Sequence, residues 1–118
     1  MWLCGHSAGA HLCSLLVLHI RHHLEGYHTE QACKSRDWLD PYSRAQLESV
    51  LSSLRLVIGL GGVYDIGAHF LHESWRGVEH VSGMARAMRG EASFQHFSPT
   101  ASARWLAISP LSASPTLM

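Results

Sequence analysis

The sequence predicts an α/β protein in which a short buried strand turns directly into a long apolar helix. Trp2-Leu3-Cys4 reads as the end of that strand, and Gly5-His6-Ser7-Ala8-Gly9 as the tight turn after it. The helix follows over about residues 8–24, apolar at Leu12, Leu15, Leu16, Val17, Leu18 and Ile20, and is apolar on most sides, as a buried helix is. A second run, Leu54-Arg55-Leu56-Val57-Ile58-Gly59-Leu60, is short, apolar and partly β-branched, and it stops at Gly61-Gly62. That pattern suits a strand buried in a parallel sheet.

The remaining elements are weaker. Gly26 stops the first helix, and residues 26–42 read as a polar loop with a turn at Asp40-Pro41. Tyr42 to Leu54 reads as a second helix, with Ser43 and Gln46 at capping-box spacing. Residues 67–98 read as loops and short turns, like a cap over a site, with one short helix around Val81 to Met88. From Ser98 the chain is rich in Ser, Ala and Pro, and Pro115-Thr116-Leu117-Met118 reads as an apolar start of a further element. There is no internal repeat and no linker, so residues 1–118 form a single domain.

Composition excludes some classes. The hydrophobic content of 47% is enough for a modest core. Nine basic residues balance nine acidic ones with no basic block, which argues against a nucleic-acid partner. The three cysteines, Cys4, Cys13 and Cys33, fit neither CxxC nor zinc-ribbon spacing, and Cys4 and Cys13 lie in apolar stretches as small core residues. No signal peptide is read, since Trp2-Leu3-Cys4-Gly5 has no basic lead. The longest apolar run, Leu12 to Ile20, is interrupted by His19 and is too short to span a bilayer.

Gly5-His6-Ser7-Ala8-Gly9 matches G-x-S-x-G. A strand that turns sharply into a helix can hold a hydroxyl at its apex. Small residues two positions to either side, Gly5 and Gly9, remove clashes. Ser7 then stands at a helix N-terminus, where free N–H groups favour negative charge. The Ala8 N–H is placed to donate to an oxyanion. The bare pattern arises by chance in roughly a few per cent of chains this long. The apolar strand before it and the apolar helix after it are the context the motif requires.

Gly5-His6-Ser7-Ala8-Gly9-Ala10-His11-Leu12 resembles the nucleophile elbow of α/β-hydrolases of the isoprenylcysteine methylesterase and kynurenine formamidase branch. Gly59-Leu60-Gly61-Gly62-Val63-Tyr64-Asp65-Ile66, with His69-Phe70, His72-Glu73 and Arg76-Gly77-Val78, resembles the next strand and its sequel. Gly90-Glu91-Ala92-Ser93-Phe94 and Phe97-Ser98-Pro99 look most like the methylesterase side, and Ser109-Pro110 with Pro115-Thr116-Leu117 resembles the entry to a further strand. Residues 26–53 are unlike the family.

The resemblance implies a partial α/β-hydrolase fold: nucleophile strand, following helix, next strand and a cap-like segment, truncated at both ends. It implies a serine carboxylic-ester hydrolase acting through a Ser–His–Asp triad on a small-molecule or prenylated-cysteine ester. The alternative within the branch is an arylformamidase-like amide hydrolase acting on N-formylkynurenine. It implies no metal and no organic cofactor, and membrane association of the parent at the endoplasmic reticulum or Golgi, with the cytoplasm as the alternative. The upstream HGG-type oxyanion loop is absent, and the family's triad Asp and His follow later strands. The expectation is therefore a chain inactive alone. A truncated non-catalytic isoform or gene-model fragment is the reading from outside the enzyme class.

Within the chain, Asp65 and His96 satisfy the order Ser, acid, His. The resemblance instead places Asp65 in a shared structural motif, and its plain role is to cap the turn after the strand. His6 and His11 flank Ser7 as structural or pocket-lining residues, His6 being a candidate substrate contact. His19, His22 and His23 read as a polar patch at the helix end rather than metal ligands. His69, His72 and His80 lie in the cap-like segment. Trp75, Met84 and Met88 could line an apolar pocket.

Overall fold

The computed structural model describes residues 1–26, 37–78, 80 and 83–108. Strand β1 (Trp2–His6) runs into helix α1 (Ala8–Leu24). A 3-10 turn at Asp37–Leu39 leads to α2 (Arg44–Ser53), and β2 (Leu56–Leu60) follows. Then come α3 (Ile66–Trp75), the single turn α4 (Met84–Ala87), a 3-10 turn at Glu91–Ser93, and α5 (Pro99–Ile108). The two strands pair in parallel, Trp2 opposite Leu56 and His6 opposite Leu60.

Helix α1 is the hub. It packs on both strands and against α2 and α5. On the α2 side, Ile20, Leu39 and Leu47 form a buried cluster, with Leu16, Leu24 and Leu51 around it. Burying each such side chain contributes about 1.5–3 kcal/mol. Helix α2 begins with the expected box: the Ser43 hydroxyl accepts from the Gln46 N–H at 3.2 Å, and the Ser43 N–H donates to Gln46 Oε1 at 2.8 Å.

Two helices correct the reading of the second half. Residues 66–75 are a ten-residue helix, not loop. Ile66 is its buried residue. Its start is held by polar groups. Asp65 Oδ1 accepts from the Ala68 N–H at 3.0 Å, and the buried Ser98 hydroxyl accepts from the Ile66 N–H at 2.9 Å. Phe70 adds a tilted ring contact to Phe94 at 5.2 Å. Residues 99–108 are also helical, because Pro99 suits a first helical position, after Ser98. The short helix expected over 81–88 is observed as Met84–Ala87, with Val81 and Ser82 outside the described residues. The strand entry expected beyond Ser109 also lies outside them.

The strands are less buried than their sequences suggest. Gly5, Val57 and Gly59 face α1. Trp2, Cys4, His6, Leu56 and Leu60 share the other face and are exposed, Trp2 at 73% and Leu60 at 53%. Cys4 is therefore on the surface and Cys13 half-buried, rather than in the core. The correction follows from the layering: among the described residues, helix α1 packs on one face of the sheet, whereas parallel strands rich in apolar residues usually have both faces covered.

Ser98 also donates to Phe94 O at 2.7 Å, so one hydroxyl joins three segments. Ser98→Ala strands the Ile66 N–H in a buried place and is expected to cost about 2 kcal/mol. Urea unfolding of the variant reads this as a lower midpoint at unchanged slope, and a loss below about 0.5 kcal/mol contradicts the assignment.

Candidate functional site

The C-terminal ends of β1 and β2 meet at Ser7. The Ser7 N–H donates to Leu60 O at 2.8 Å, which extends the strand pairing by one residue into the turn. The Ser7 carbonyl then accepts the first helical bond, from the His11 N–H at 3.2 Å. Between these two bonds the backbone must reverse within one residue. It does so with φ 53 and ψ −119 at Ser7. This is the conformation of the first central residue of a type II′ turn, a place glycine usually holds. For a residue with a Cβ it costs about 1–3 kcal/mol.

The close approach that forces this is at Gly5. A Cβ there would overlap the Gly9 carbonyl group and lie 2.6 Å from the Ala10 nitrogen. These are backbone atoms and cannot swing away. The first turn of α1 therefore sits directly on β1. Gly9 differs from expectation: a Cβ there meets nothing within 4 Å. Gly9 contributes its backbone to the contact with Gly5, and β2 approaches the helix on the Ala10 side instead. There, a Cβ on Gly62 would lie 2.8 Å from Ala10 Cβ and 2.6 Å from the Tyr64 ring, so the glycines after β2 make room for Tyr64 as well.

Ser7 and Ala8 are exposed at this junction, and the Ser7 hydroxyl makes no cap bond to its helix. The N–H groups of the first turn lack helical acceptors, as at any helix start. His6 is exposed beside them, its Nε2 4.0 Å from where a Cβ on Gly61 would stand. Asp65 is occupied as the cap of α3. The His96 N–H donates to Ser93 O, and no hydrogen bond among the described residues joins Ser7, Asp65 and His96. Trp75 is 78% exposed near the end of α3 and lines none of the described cavities, and neither does Met84. Met88 does line one, beside α1.

His11, His19 and His22 of α1 are buried rather than forming a surface patch, while His23 is half-buried. The His11 Nε2–H donates to Phe97 O at 2.6 Å, and the His22 Nε2–H to Ser102 O at 3.0 Å. A carbonyl can only accept, so each ring carries its proton on Nε2. His19 is also buried, with its ring 6.4 Å from that of Trp38. These ties were invisible in sequence, since their partners lie 80 residues or more away. Among the described residues no three His, Cys, Asp or Glu groups converge as a metal site, and no helix is long and apolar enough to cross a membrane. The chain matches no protein-family model, no curated protein and no solved structure.

The strain at Ser7 and the contact at Gly5 give opposite mutational signs. Ser7→Gly relieves a positive φ at a side chain with no cap bond to lose, and the added entropy of the unfolded chain offsets only part of that. The variant is expected to gain about 1 kcal/mol, whereas Gly5→Ala is expected to lose about 3 kcal/mol by overpacking on fixed backbone. Thermal unfolding of both variants checks this, and a Ser7→Gly chain less stable than the parent contradicts the strain.

Proposed function

We propose that Ser7 is the nucleophile of a serine carboxylic-ester hydrolase, most like a prenylcysteine methylesterase, and that the chain alone is an incomplete and inactive piece of it. The supporting observation is the backbone of Ser7: a non-glycine residue at φ 53, exposed at a strand-to-helix junction. Strain of this kind is concentrated at functional sites, and here it lifts a hydroxyl clear of its own helix. The location also suits the reading, since open α/β sheets bind ligands outside the carboxyl ends of their strands. The resemblance of residues 5–12 and 59–66 to the methylesterase branch supports the same chemistry.

In this mechanism Ser7 Oγ attacks the ester carbonyl carbon and its proton passes to a base. The carbonyl oxygen becomes an oxyanion facing the Ala8 N–H. Among the described residues no base reaches Ser7: Asp65 caps α3, and neither it nor His96 bonds to Ser7. A serine without a base is a weak nucleophile, and a single oxyanion donor leaves the transition state short of stabilisation. His, acid and the second donor would come from strands laid beside β1 and β2.

Two measurements separate the halves of this proposal. The chain alone is expected to hydrolyse p-nitrophenyl acetate no faster than its Ser7→Ala variant. Turnover lost in Ser7→Ala would overturn the claim of incompleteness and direct attention to His96. In a longer chain containing these residues, a fluorophosphonate is expected to add once, at Ser7, by intact-mass and peptide analysis. An adduct on another residue would overturn the nucleophile assignment.

A further inference from the structure

Away from Ser7, α1 lines a cavity of about 570 Å³, within the range of small-molecule sites. Leu12, Leu15, Leu16 and His19 form its floor, at helical spacing that spans about 10 Å along the axis. Trp38, Met88 and Phe97 close it from other segments. His6, Ser7 and Ala8 do not line it.

The polar content of the lining is one-sided. Among the described residues no Asp or Glu contributes to it. The His11 Nε2–H is already given to Phe97 O. The permanent charge among the described lining residues is Arg89, which is exposed and forms no ion pair with another described residue. Arg89 is also held at φ 60, the second non-glycine residue with positive φ besides Ser7. Gly90, next to it, is also at positive φ, 101.

We propose that this cavity binds a single-chain amphiphile with a carboxylate head: an alkyl tail laid along Leu12, Leu15 and Leu16, and the head paired with Arg89. An apolar floor with the Arg89 cation at its edge, and no acid among the described lining residues, matches that ligand in both parts. A neutral alkyl alcohol satisfies only the floor, and an alkyl ammonium meets like charge. The site is independent of Ser7 and of the ester chemistry proposed for it.

Cys13 supplies the readout, because it lines the cavity and is half-buried, while Cys4 lies exposed on the sheet. Iodoacetamide alkylation of the full chain is followed at each cysteine by peptide mass spectrometry, with decanoate, decanol or decyltrimethylammonium added below their micellar concentrations. Decanoate at ten times its Kd is expected to slow Cys13 about tenfold and leave Cys4 unchanged. Decanol is expected to need about tenfold more, the scale of one charge-assisted hydrogen bond, and the ammonium to give no protection. Arg89→Gly suits the positive φ, so it keeps the fold, and it should erase the difference between decanoate and decanol. Arg89→Lys should keep most of that difference, and Ser7→Ala all of it. No slowing at Cys13 by decanoate, equal slowing at Cys4, or equal protection by the three compounds would overturn the proposal.

Discussion

The contact between the backbone of α1 and the backbone of β1, at Gly5, governs what the other residues can do. With no Cβ at Gly5, the first turn of the helix rests on the strand it came from. That leaves one residue in which to turn, and Ser7 takes the strain. The Ser7 N–H continues the pairing to Leu60, so the same residue that breaks β1 also fixes β2 in register beside it. Ala10 then meets the glycines at the end of β2, and Tyr64 covers them. The elbow, the sheet and the seat of α1 are one arrangement, and the exposed hydroxyl is its by-product.

Elements with a local cause were legible in the sequence. The helix over 8–24 and its end before Gly26, the capping box of Ser43 and Gln46, and the parallel strand ending at Gly61-Gly62 all depend on residues within a few positions of each other. Helix α3 was not legible in part because what holds its start includes the Ser98 hydroxyl, 32 positions away. Helix α5 was hidden by Pro99, which reads as a breaker but serves as a helix start. The exposure of Trp2 and Leu60 was also missed. Apolar β-branched runs report what a strand is suited to, and the layers stacked on it decide whether that suitability is used.

At the candidate site the sequence was most informative about Ser7 and least about its surroundings. A five-residue pattern defines a turn, and the turn is where it was expected. Charge relay is a matter of distance between residues far apart in the chain, and order alone could not tell Asp65 the helix cap from Asp65 the acid. The histidines show the same limit. Three of them on one helix suggest a ligand set or a polar patch, yet the structure uses His22 as a buried hydrogen-bond donor to a distant carbonyl. Arg89 carried no sequence signal at all, since a positive φ at arginine has no local signature.

The bonds from His11 to Phe97 and from His22 to Ser102 also set a timetable. They join residues 86 and 80 positions apart. On the ribosome the helix is made before its acceptors, and at about 5–20 residues per second the interval is roughly 4 to 17 s. For that time two imidazoles and the apolar face around them wait in the nascent chain without their partners. The helix is thus made well before the bonds that hold its histidines can form, and any factor that holds unfinished chains will meet it before its own carbonyls do.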